Sequence, residues 1–108
     1  MVRIDATEIT DTNSFHTVFA SALGFPEFYG RNMDAWIDCL TYLDDPEAAM
    51  TNVHVQPGQC LSLVVDHAAE LKTRCPELFF SLVECSAFVN WRRVEAGGQP
   101  VLALALYA

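Results

Sequence analysis

Positive charge is scarce in this sequence: 6 Lys and Arg stand against 14 Asp and Glu, a formal charge of -8 with His neutral. Such a surface repels phosphate backbones and anionic membranes, so neither a direct nucleic-acid ligand nor a membrane is expected, whereas a basic protein is a natural partner. Long apolar runs are missing as well. No stretch approaches the roughly 18 residues that span a bilayer. The first twenty residues carry acids, Asn13 and His16 in place of a basic start and an apolar run, so no signal peptide is expected and the chain is assigned to the cytoplasm.

Cysteine is sparse and unpatterned. Cys39, Cys60, Cys75 and Cys85 form no CxxC pair and have no His at zinc-site spacing. Their even number permits two disulfides, but three of the four sit in apolar stretches where a free thiol acts as a small hydrophobe, and four reduced thiols are the expected state. His16, His54 and His67 are scattered, no pair of them has the helix-face spacing with a carboxylate that would suggest a catalytic or metal constellation, and no serine lies in a nucleophile elbow. No catalytic residue, metal or other cofactor is therefore expected, and the chain reads as a non-enzyme.

What is present suffices for a core: 108 residues, 52% of them hydrophobic, read as one domain over residues 1–108. Val2 to Asp5 alternates as a strand. The cluster Asp11, Thr12, Asn13, Ser14 offers N-caps to a helix whose buried stripe is Phe15, Val18, Phe19, Ala22 and Leu23, with His16 on its polar side and Gly24 as the stop. A connector with Pro26 and Gly30 carries Phe28 and Tyr29. A second helix runs from about Asn32 to Leu43 and ends before Pro46. Residues 44–58 read as loop, and Cys60 to Val65 as a buried parallel strand. Helical patterning covers Asp66 to Arg74 and then Pro76 to Glu95, and Val101 to Tyr107 reads as a central strand covered on both faces. Strands separated by helical crossovers imply an α/β fold with a small three-stranded parallel sheet packed with about four helices. The aromatics Phe79, Phe80, Phe88 and Trp91 read as core, and Arg92 and Arg93 as solvated side chains near a helix C-terminus.

The acids gather in one place. Between Glu27 and Glu47 stand Glu27, Asp34, Asp38, Asp44, Asp45 and Glu47, with Arg31 as the single base. At about 100° per residue, Asp38, Thr41 and Asp45 fall within about 40° of Asp34, opposite an apolar side of Trp36, Cys39, Leu40 and Leu43. Asp34 is suited to a first helical turn by the helix dipole alone. Asp38 is not: it sits in the helix interior, one turn from a like charge, with no Lys or Arg at i+3 or i+4, so it is expected to face a cation outside this chain.

Residues 26–41, PEFYGRNMDAWIDCLT, resemble the signature of the barstar family, matching it at Pro26, Glu27, Tyr29, Gly30, Asn32, Asp34, Ala35, Asp38, Cys39, Leu40 and Thr41. Phe28 stands where the family has its first tyrosine, Trp36-Ile37 reverses the usual order, and Leu43 stands where the best-known member has a tryptophan. The resemblance implies an intracellular inhibitor of a basic ribonuclease, with the second helix and its connector entering the enzyme's cleft; the free chain is expected to be monomeric. Asp38 would meet the substrate-phosphate site, Asp34 a neighbouring charge, and Tyr29 would supply an aromatic contact. Asn32 and Thr41 would add polar contacts, and Phe28, Tyr42 and Asp45 complete the expected partner-facing set. An immunity protein against a different toxin, or a ligand-binding or enzymatic domain that kept the fold, are the alternatives.

Overall fold

A computed structural model describes residues 1–108. Three parallel strands, β1 (Val2–Asp5), β2 (Leu61–Asp66) and β3 (Leu102–Leu106), form one sheet in the order β1-β2-β3. Four helices, α1 (Thr12–Leu23), α2 (Met33–Thr41), α3 (Ala68–Arg74) and α4 (Pro76–Glu95), accompany it, with short 3-10 turns at Ala6–Glu8 and Pro46–Ala48. The α/β class and the three-stranded parallel sheet agree with the sequence reading. No helix is long and apolar enough to cross a membrane.

The sequence explains the element ends. Asp11 accepts from the Ser14 N–H at 2.8 Å while the Ser14 hydroxyl accepts from the Asp11 N–H at 3.0 Å, a reciprocal cap that starts α1. Gly24 stops it in left-handed geometry at φ 65°, where any Cβ would run into the Asn52 side chain. Pro76 opens α4 at a position whose N–H has no intrahelical partner.

Two expectations about the elements are corrected. β3 is an edge strand rather than the central one, which is β2, and it is not covered on both faces: Ala103 is exposed, as is its register partner Ser62 on β2, whereas Leu102 and its partner Leu61 are buried. An apolar run cannot by itself distinguish the two positions, because Val101 and Leu102 are buried in either case. α2 ends at Thr41, two residues early, so Asp45 lies off the helix and caps the following 3-10 turn, its Oδ1 accepting from the Glu47 N–H at 3.2 Å.

One hydrophobic cluster unites one face of the sheet with the helices; it includes Ile4, Phe15, Phe19, Trp36, Leu40, Leu63, Leu71, Leu82 and Val89. Polar side chains tie the periphery to it. Asn90 of α4 accepts from the Val101 and Leu102 N–H groups at 2.9 and 3.0 Å and donates to the Leu102 carbonyl at 2.7 Å. Arg74 of α3 donates to the Ile9 and Ala6 carbonyls at 2.7 and 3.0 Å. All four cysteines are free thiols.

Candidate functional site

The acidic segment begins in the connector between α1 and α2. A turn closed by the Tyr29 N–H on the Pro26 carbonyl, 2.9 Å, sends two adjacent aromatics in opposite directions. Phe28 is 76% exposed, and Tyr29 is buried at 9%. The Tyr29 hydroxyl lies 2.5 Å from His16 Nδ1, and its ring packs on Phe25 with centroids 4.7 Å apart. Burial pushes the Tyr29 phenol up and the His16 imidazole down, so both are neutral and share one hydrogen bond whose direction follows the imidazole tautomer. Two expectations change here. His16 is buried rather than on a polar side, and Tyr29 supports the connector from within, which leaves Phe28 as its outward aromatic.

Arg31 holds the connector from its other end. Its backbone takes the left-handed region at φ 55°, and its Nη2 lies 2.8 Å from each of the Asn13 carbonyl, Asn13 Oδ1 and Thr17 Oγ1 on α1. The only base of the acidic stretch is thereby turned back onto the scaffold. Asn32 is exposed and caps α2, its Oδ1 accepting from the Ala35 N–H at 2.8 Å.

α2 buries Trp36, Ile37, Cys39 and Leu40, with the Trp36 ring edge-on to Phe19 at 5.7 Å. Burial and the neighbouring Asp38 charge push the Cys39 thiol up to about 11, so it is an inert core group. On the other side of the helix Asp34 is exposed and makes no ion pair. Asp38, one turn on, has a side chain 48% exposed and one oxygen, Oδ1, 2.5 Å from Arg92 Nη1 of α4, itself 41% exposed. The expectation that Asp38 has no cation within its own chain is thus overturned. The compensating base comes from 54 residues downstream, a separation at which helical spacing carries no information.

Arg93 behaves likewise. It forms a two-pronged pair with Asp44 at 2.9 and 2.5 Å and donates to the Thr41 carbonyl at 2.7 Å, with both side chains less than a fifth exposed. Arg92 and Arg93 are therefore structural partners of the acidic segment rather than solvated ends. Thr41 is also corrected: it is buried at 9%, with its hydroxyl donating to the Ile37 carbonyl at 2.6 Å. Tyr42 is 39% exposed and borders an open groove of about 380 Å³ lined by Thr41, Arg92, Arg93, Ala96 and Gly98.

Phe28, Asn32, Asp34, Asp38, Tyr42 and Asp45 thus share access to solvent along one contiguous segment, and Tyr29 and Thr41 lie beneath it. No group of three or more His, Cys, Asp or Glu is arranged to hold a metal ion. Fold and site define an acidic α/β domain that carries an anionic helix face.

The family model Barstar, described as barnase inhibitor, matches residues 1–102. The chain belongs to the barstar family, a family of inhibitors rather than catalysts. No curated protein matches it.

Proposed function

We propose that this chain is a cytoplasmic immunity protein that binds a basic ribonuclease and occludes its active site with α2 and the connector before it. The carrying observation is the pair of outward carboxylates, Asp34 and Asp38, one turn apart beside the exposed Phe28 ring. A cleft built to bind successive RNA phosphates offers cations to two such charges, and occupancy alone then inhibits.

The Asp38–Arg92 pair is compatible with this reading. Exposed ion pairs contribute about 0.2–1 kcal/mol, so a cation cluster in a cleft can displace Arg92 or share the carboxylate with it. The second oxygen of Asp38 has no partner in this chain. Asn32 and Asp45 retain exposed edges at the two ends of the segment, and Tyr42 adds an aromatic at its C-terminal end.

RNA cleavage by a panel of small basic ribonucleases, barnase among them, tests the proposal. At least one enzyme is expected to lose activity at a one-to-one ratio with the chain, and Asp38→Ala is expected to relieve that inhibition more than any other acid-to-Ala change. An enzyme bound equally well by the Asp38 variant overturns the assignment of that residue; a panel untouched by the wild type overturns the function.

A further inference from the structure

The outer face of α4 is apolar where a surface helix is ordinarily polar. Phe80, Val83, Phe88, Trp91 and Val94 are exposed at 50, 36, 45, 56 and 54%, and the Phe88 and Trp91 rings pack in a tilted arrangement with centroids 5.4 Å apart. These aromatics were expected in the core; instead Leu82, Ser86 and Val89 on the opposite side of the helix fill it. At about 100° per residue Phe80, Val83, Ala87, Trp91 and Val94 fall within about 80° of one another, a stripe about 21 Å long, with Phe88 along one border.

We infer that this stripe is the interface of a reversible homodimer in which the α4 helices of two copies pack antiparallel, with Ala87 on the two-fold axis. A two-fold interface must be complementary to itself, and the stripe is. With Ala87 at the axis, Phe80 stands opposite Val94 of the second copy, Val83 opposite its Trp91, and the exposed Ala87 opposite its own equivalent. Each large side chain meets a smaller one, and the small central residue permits the close approach that helix packing at about 8–10 Å requires. The same arrangement sets the two helix dipoles antiparallel.

Area sets the strength. Fully buried aromatics contribute about 150–250 Å² each, so these half-exposed side chains offer roughly 500 Å² per copy, short of the about 800 Å² per partner of a standard stable interface. The dimer is therefore concentration-dependent. Repulsion between two copies of charge -8 opposes it, and salt strengthens it. Such a dimer departs from the expectation of a free monomer and is independent of the inhibitor reading.

Sedimentation of the full chain over a series from about micromolar to about millimolar should show the mass rising towards twice that of one copy, at lower concentration in high salt. Trp91→Glu should weaken association at least tenfold while its circular dichroism stays that of the wild type, since the side chain lies outside the core. In a Cys60→Ser background, Ala87→Cys should cross-link to itself on mild oxidation, and Ala103→Cys should not. A monomer at every concentration, a dimer indifferent to Trp91→Glu, or a dimer in which Ala87→Cys fails to cross-link each overturns the proposal.

Discussion

At the residue scale, the ion pair between Asp38 and Arg92 bears directly on the proposed recognition. Arg92 neutralises part of the Asp38 charge, and in the proposed complex it would remain a like charge beside the partner's cations. Arg92→Ala is therefore expected to tighten binding to an inhibited ribonuclease. Calorimetry should show a gain of a few fold, in keeping with the about 0.2–1 kcal/mol of an exposed pair. In Asp38→Ala the loss is compounded, because Arg92 is then uncompensated. The buried His16 answers to pH. Its folded pKa lies below the ordinary 6.5 because burial disfavours the imidazolium and the Arg31 charge adds to this. The unfolded chain thus takes up a proton near 6.5 that the folded chain refuses. Its contribution to stability is complete above that value and is lost as pH falls through it towards the folded pKa, at up to about 1.4 kcal/mol per pH unit. Thermal unfolding between neutral and mildly acidic pH should show this slope in the wild type and a shallower one in His16→Gln.

At the scale of elements, Asn90 joins the last helix to the last strand. Its amide satisfies three backbone groups at the start of β3, so Asn90→Leu should cost about 2–4 kcal/mol in denaturant unfolding. Asn90→Asp keeps the acceptor for the two N–H groups and should cost less. The strands and helices were legible in the sequence because their signals are local: the Asp11 to Ser14 cap cluster, Gly24 after the apolar stripe, Pro76 before a long periodic run. Sheet order was not, since Val101 to Tyr107 is apolar enough for a central strand yet lies at an edge. The acidic helix was legible for the same local reason, and its partners were not: Arg92 and Arg93 reach Asp38 and Asp44 across the tertiary fold. Tyr29 and His16 illustrate a related failure, as two polar aromatics satisfy one another in the interior and so need no solvent.

At the scale of the whole molecule, charge is segregated. Arg31, Arg92 and Arg93 are turned towards the chain's own carbonyls and carboxylates, so the excess of acids dominates what a partner meets. Opposite net charges accelerate encounter more than they hold a complex together. Stopped-flow association with an inhibited basic ribonuclease should slow by about tenfold or more as salt rises through the physiological range, with dissociation changing far less. Equal sensitivity of both rates would count against long-range steering.

Because the base that tempers Asp38 belongs to α4, and the acid itself to α2, the proposed mode of inhibition encodes grip strength and the gripping group in separate stretches of the chain. Under that mode, drift at position 92 would retune affinity for a changing ribonuclease while every side chain projected by α2 stays as it is.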